Sequence, residues 1–489
     1  MGHVIKTQLI DLTISKSLDA FAVQHSVSQL YWNKLLPIVE KAFDEAAPGD
    51  TIIQVDQLEI DLGVLGIDRL GKKEWITDLQ ITLTNKLQEL IRQQSSGKGN
   101  VRSVSPTIHI GRQWLYYMQH GYLPWNIGII NNDWHREALQ ALAGDYDCIQ
   151  ALKQLVKTDN RVVQRIIQHY DENFLAGLLE VLTARKNEDI NILADELYLV
   201  YRQVQRRTKT TPVLTKDAFR KICRETALLS AAQRTTDFSI SDLAEQLLGS
   251  LLKSPAIASA IKKSLSGKLS LIQPALEKVS AALQSGSFAK EASTYSIADD
   301  FDKKLQTREQ PSLKETVAAA MDEDGIFTEL AGLVLLHPFL PNLFKQLEWI
   351  HEGNFLNKEC QQQAILLLHF LATGETIAPE YALVMAKVLC GYPVNEPVDT
   401  DFQSSPAIIE VAEHLLQIVI ERWEVLKSTT IAGLRESFLQ RKGQLQKEEG
   451  LLRLQVETGS IDMLLDQLPW GIGMIKLPWM KDLLKVEWR

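Results

Sequence analysis

The chain has 489 residues, 45% of them hydrophobic and 23% charged, with a formal net charge of -9 and four cysteines. That length exceeds what one compact core spans, so more than one domain is expected. The balance is that of an ordinary globular protein, which excludes wholesale disorder, and the acidic excess argues against a phosphate-binding surface for nucleic acid.

The N-terminal unit, 1–94, reads as strand, helix, strand, helix. From Val4 to Ile14 apolar residues alternate, with Ile10, Leu12 and Ile14 on one face. Leu18 to Ala47 carries Val23, Val27, Leu30, Leu35, Val39 and Phe43 at helical spacing, ended by Pro48 and Gly49. Ile52 to Leu62 predicts a second strand, and Trp75 to Ile91, with Leu79, Leu83, Leu87 and Leu90, a second helix.

The run from Ser95 to Pro106 is polar and rich in Gly and Ser and predicts a linker. An aromatic-rich segment follows over 107–144 and contains the phrase LPWNIGII, Leu123–Ile130.

From 145 to 325 apolar residues recur at helical intervals, as in Leu152, Val156, Val163, Ile167 and Leu178, with no strand signal. The chain has ten tryptophans, yet none falls between His135 and Glu348. The middle therefore reads as a helical domain of separate character. It shows no fixed-period repeat, so a solenoid is not expected. Its basic run from Arg202 to Arg224 is opposed within the run only by Asp217, and it reads as a solvated helix face because it lacks the interleaved aromatics of a base-stacking surface, with Phe219 alone among its cations.

The last domain, 326–489, opens on LVLLHPFLPNLF, Leu333–Phe344, an apolar helix broken by Pro338 and Pro341. Further helices are expected over Gln361 to Thr373, Pro379 to Leu389 and Pro406 to Lys427. Leu452, Leu454 and Val456 alternate as in a strand, and Leu483 to Trp488 reads as another. The phrase LPWGIGMI, Leu468–Ile475, matches LPWNIGII at six of eight positions, and a third Leu-Pro-Trp follows at Leu477, Pro478 and Trp479. Leu123, Pro124, Trp125, Leu468, Pro469 and Trp470 with that third triplet form a candidate docking motif. The fold class expected is mainly α with small α+β units at both ends, multi-domain, around a helical middle.

No constellation for chemistry survives inspection. The glycine-rich phosphate loops, the HExxH metal motif and the GxSxG elbow are absent from the sequence, so no catalytic, cofactor-binding or metal-ligating residues are named. Cys148, Cys223, Cys360 and Cys390 stand far apart and read as buried thiols. His337 and His369 lie in apolar runs and read as packed side chains, while Asp299–Asp300 and Asp322–Asp324 read as solvated loop charge. The N-terminus lacks a basic region before an apolar block, and no apolar run reaches the roughly 18 residues needed to cross a bilayer. Neither a secretion signal nor a membrane anchor is expected.

The phrase DQLPWGIGMIKLPWMKDLLKVEW, Asp466–Trp488, resembles the C-terminal signature of the contractile injection system tape measure protein family. YWNKLLPIVEKAFDE with IIQVDQLEIDLG, within Tyr31–Gly63, is similar to the family's opening, as is WLYYMQHGYLPW, Trp114–Trp125. The blocks across Leu333–Val398 look like its C-terminal domain. The middle, about Asp145 to Asp324, carries no resemblance. What the resemblance implies is a structural protein of a phage-tail-like particle, without enzymatic activity or cofactor, that sets inner tube and sheath length. The implied partners are inner tube, baseplate or hub, and tube-terminator proteins. The implied location is the cytoplasm during assembly and the tube lumen afterwards. An alternative within the same machine is a helical adaptor, assembly chaperone or cap that measures nothing. An extended middle would expose its apolar stripe, so its helices are expected to self-associate or to fold back in the free chain.

Overall fold

The computed structural model describes residues 3, 5–6, 8–16, 18–46, 52–61, 72–94, 101–127, 130, 133–184, 190–209, 214–233, 239–265, 267–285, 325–400, 405–448 and 451–488. The protein is mainly α, as expected. Two units are compact: residues 1–113 with 125–144, and residues 114–124 with 145–489.

In the first unit, α1 (Ala20–Leu30) starts where the Asp19 carboxylate accepts from the Phe21 and Ala22 N–H groups. A π-turn over Tyr31–Leu35 leads directly into α2 (Leu36–Ala46). Pro37 explains the turn: it has no N–H to donate, and its ring would clash with the carbonyl four residues back. α3 (Lys73–Gln94) lies against α2, with Leu83 and Leu87 buried on Ala42 and with Val39, Phe43, Leu58 and Ile60 around them. β1 (Ile52–Val55) pairs antiparallel with β2 (Val101–Val104), Ile52 opposite Val104. The unit also holds the residues of α4 (Pro106–His120) up to Gln113, and α5 (Trp134–Gly144).

Three expectations are corrected here. Among the described residues of 4–14 there is no strand: Leu9 is 87% exposed, and an alternating segment without a partner has no ladder to join. The second strand ends at Val55, short of Leu62. The linker read over 95–106 contains β2, because Val104 is buried and its backbone pairs with Ile52; residues 95–100 lie outside the described residues.

In the second unit, eight helices follow one another: α6 (Tyr146–Thr158), α7 (Asn160–His169), α8 (Glu172–Thr183), α9 (Ile190–Thr208), α10 (Lys216–Gln233), α11 (Ile240–Leu251), α12 (Pro255–Leu265) and α13 (Gln273–Ser285). Asp145, Asp159, Asp171 and Ser239 cap α6, α7, α8 and α11 with side-chain oxygens. The apolar stripes face each other: α9 packs on α10 and α11, α10 on α6, α7 and α8, and α13 on α11 and α12. The helices thus fold back on one another within the chain. Glu196 of α9 is buried and caps a second helix. Its carboxylate accepts from the N–H groups of Ser270, Leu271 and Ile272, at 2.6, 3.0 and 2.9 Å, just ahead of α13.

The C-terminal part opens on β3 (Ile326–Thr328) and a 3₁₀ segment, Ala331–Leu336. α14 (Leu340–Gln346) carries Pro341 in its first turn, where a missing N–H costs nothing. A small hairpin of β4 (Ile350–His351) and β5 (Asn354–Phe355) precedes α15 (Lys358–Thr373). A 3₁₀ turn, Glu380–Leu383, runs into α16 (Val384–Leu389), and α17 (Pro406–Arg422) and α18 (Ile431–Leu434) follow. β6 (Gly443–Glu448), β7 (Leu451–Val456), β8 (Met474–Ile475) and β9 (Leu484–Glu487) join β3 in a five-stranded sheet of order β3-β6-β7-β9-β8. All pairings are antiparallel except β7 with β9, where Leu452 stands beside Leu484. The alternating residues Leu452, Leu454 and Val456 face the core, as their spacing predicts. Among the described residues, the buried members of this core outside 326–488 come down to Tyr122.

Candidate functional site: the Leu-Pro-Trp phrases and a buried ion cluster

The three Leu-Pro-Trp phrases have different surroundings. Leu123, Pro124 and Trp125 are half-buried at a turn, with the Lys6 ammonium 6.0 Å from the Trp125 ring. Leu468 and Trp470 are half-buried, while Pro469, Gly471 and Gly473 are exposed. The Trp470 indole donates to the Leu335 carbonyl at 3.1 Å and meets Phe339 edge to face at 5.1 Å. Leu477 and Trp479 are buried and Pro478 is exposed. The Trp479 indole donates to the Leu389 carbonyl at 2.8 Å and packs on Phe344 and Phe355. Gly391, at φ +65°, sits under this turn, where a Cβ would come within 2.9 Å of the Trp479 carbonyl oxygen. Each C-terminal tryptophan is thus a peg that turns inward and leaves its proline on the rim.

The last tryptophan is held in a similar way. Trp488 donates to Asp462 at 3.2 Å, Asp462 is ion-paired with Arg441, and the Arg441 guanidinium lies 5.8 Å from the Trp488 ring.

A second constellation was not anticipated from the sequence. Glu380, Arg165 and Lys387 are each fully buried. Glu380 stands 2.7 Å from Arg165 Nε and 2.7 Å from Lys387 Nζ, with His169 Nε2 at 3.1 Å. Two cations on one carboxylate leave surplus positive charge, and backbone carbonyls take it up. Arg165 donates to the Met118 and Asn395 carbonyls, and Lys387 to those of Val394 and Glu396. Burial alone would raise the Glu380 carboxyl; Arg165 and Lys387 outweigh it and hold it well below the usual carboxylate range. Burial lowers the Lys387 ammonium, with Glu380 opposing. Gly121, at φ +78°, makes room: a Cβ there would lie 2.6 Å from the Arg165 guanidinium. Tyr117 packs edge to face on Tyr381 nearby, and the Trp114 indole donates to the Tyr170 hydroxyl at 2.7 Å.

The α10 half of the basic run is ion-paired. Arg220 forms a bidentate pair with Asp195, Lys216 shares that carboxylate, Arg224 meets Glu172 and Lys221 meets Asp399. Its counter-charges come from elsewhere in the sequence, where the run itself offered only Asp217. Cys148, Cys223 and Cys390 are buried and Cys360 is half-buried, none of them joined in a disulfide. His337 donates its Nδ1–H to the Val334 carbonyl at 2.9 Å and His369 is buried beside Thr373; burial lowers both imidazoles. Among the described residues no group of three His, Cys, Asp or Glu side chains could hold a metal ion, and no helix is long and apolar enough to cross a membrane.

No curated protein and no solved structure matches the chain. A family model does, over residues 2–488, and it is described as contractile injection system tape measure protein. That family is a structural class and not an enzyme class, and its members have their partners within the same machine. With the match running through both ends and through the helical middle alike, this chain belongs to the contractile injection system tape measure protein family and is a structural component of such a system.

Proposed function

We propose that the chain sets the length of the inner tube and sheath during assembly, through a helical middle that is stored folded and opens to act. Family membership supports a place in the machine. The observation that carries the mechanism is that the described residues of α6–α13 contain no strand. Helices joined by links can be drawn out end to end by changing backbone angles at the links alone, whereas a sheet would have to lose its ladder. Drawn out as one helix, a middle of about 180 residues spans at most ~270 Å. Folded, the longest of its described helices, α9, has 19 residues and measures roughly 28 Å. The folded bundle is therefore the storage form and the open chain the ruler. Inner tube, baseplate or hub, and terminator proteins are the partners, met in the cytoplasm during assembly and, for the ruler, inside the tube. The exposed prolines of the Leu-Pro-Trp phrases, pegged from within by Trp470 and Trp479, are the docking elements.

A second reading is a folded adaptor or cap that measures nothing. The buried ion cluster favours it, because opening the bundle away from the C-terminal part strands charges in an apolar setting. Duplication of 151–183 separates the two. Added helix lengthens a ruler by about 50 Å for 33 residues. Electron micrographs showing particles longer by that amount support length setting, and particles of unchanged length support the adaptor.

A further inference from the structure

We propose that the Arg165–Glu380–Lys387 cluster is a latch that holds the helical bundle closed against the C-terminal helices and releases as a unit. This rests on the reading that the folded bundle is a storage form. Three observations carry it.

Among the described residues, the apolar core of the C-terminal part does not run on into the bundle. The buried apolar core of the C-terminal part takes in, outside its own residues, Tyr122 among those described. The charged groups at the join include Arg165 and His169 from α7, Glu380 and Lys387 from the 3₁₀ turn and α16, and Lys221 with Asp399. Nonspecific apolar adhesion tolerates sliding and partial opening; a charge cluster does not, since each member loses its partner as soon as the surfaces part.

The cluster is closed geometrically. Arg165 spends its donors on Glu380, Met118 and Asn395, which lie on three different segments. Lys387 spends its donors on Glu380, Val394 and Glu396. All three charged side chains are fully buried, so no water can replace a lost partner without the join opening.

The last part of α4 is arranged as a clasp across the same join. Trp114 bonds Tyr170 of the bundle and packs near Phe174, Tyr117 packs on Tyr381, and Tyr122 enters the C-terminal core. Met118, between them, supplies the carbonyl that Arg165 reads. Release of the cluster therefore frees this segment too.

The test is hydrogen exchange of the full chain, wild type against Glu380→Gln. Removing the carboxylate leaves two buried cations facing each other, so the join should open at least roughly a hundredfold more often. Peptides of α7 and of 114–122 should exchange faster by about that factor, while peptides of β6, β7 and α15 keep their protection. Equal acceleration everywhere, or no acceleration at α7, overturns the latch. Should Glu380→Gln not fold, Lys387→Met provides the second variant. It leaves one cation on one carboxylate, and a smaller acceleration confined to the same peptides is expected; acceleration spread through the C-terminal sheet overturns the proposal. Exchange is read on the free chain and particle length on the assembled machine, so failure of the latch and failure of the length-setting reading are told apart.

Discussion

Glu196→Gln isolates one carboxylate in the helical bundle. The substitution keeps the shape of the side chain and removes its charge. In the wild type the two oxygens receive the Ser270, Leu271 and Ile272 N–H groups and the Ser270 hydroxyl, which donates at 2.7 Å. These N–H groups lie in the turn that leads into α13. Glutamine offers one oxygen in place of two, and its NH₂ group faces donors. At least one buried N–H then goes without a partner, and the favourable charge at the helix start is lost. Losing a charge-assisted bond costs ~1.5–3 kcal/mol and the helix-end charge ~0.3–1 kcal/mol, so about 2–4 kcal/mol is expected. The pH dependence follows from the carboxyl itself. Burial pushes its pKa up, but the Ser270 hydroxyl and the three N–H groups outweigh burial and hold it below the ordinary value of 4.5. A depressed carboxyl stabilises the fold above its unfolded value and loses that contribution as pH falls through the folded value. Urea unfolding followed by circular dichroism at 222 nm should show a wide gap between wild type and variant at pH 7, narrowing below about pH 4. A gap under ~1 kcal/mol at pH 7, or one that stays constant down to pH 3, refutes the reasoning.

Two further outcomes concern the tryptophan pegs. Gly391→Ala places a Cβ 2.9 Å from the Trp479 carbonyl at a φ of +65°; a loss of ~1–3 kcal/mol in thermal or urea unfolding is expected, with tryptophan fluorescence shifting as the peg is displaced. Trp470→Phe removes the donor to Leu335 but keeps a ring against Phe339, so a loss of about 1–2 kcal/mol is expected, and a neutral result would mean that the peg holds by ring contact alone.

Much of the helical architecture is legible in the sequence, because amphipathic spacing reports which face meets a core wherever that core lies. The stripe of α9 and the run from Pro406 are cases: the residues spaced for burial are the buried ones. Strands were legible only where alternation coincided with an available partner. Leu452, Leu454 and Val456 have β6 and β9 on either side, whereas Ile10 and Leu12 alternate equally well and pair with nothing described. β6 is GQLQKE, with one strong apolar residue, and β3 is three residues long, so neither carries a pattern to read. The ion cluster joins positions 215 residues apart, which no local period reveals. A signal does exist in retrospect. Arg165 sits inside VVQRII and Lys387 inside VMAKVL, charged residues where an apolar face continues. Such a residue must snorkel or find an opposite charge.

The sheet order has a kinetic consequence. Ile326 pairs with Leu445, and Leu452 with Leu484, so the β3–β6 and β7–β9 ladders close long stretches of chain, whereas β6–β7 and β8–β9 join near neighbours. Bundle contacts such as α9 with α10 and α12 with α13 join neighbours. Loop-closure entropy delays the former and scarcely touches the latter. The helices therefore collapse first, and Arg165 waits as an unneutralised cation on a finished bundle until the slower half delivers Glu380.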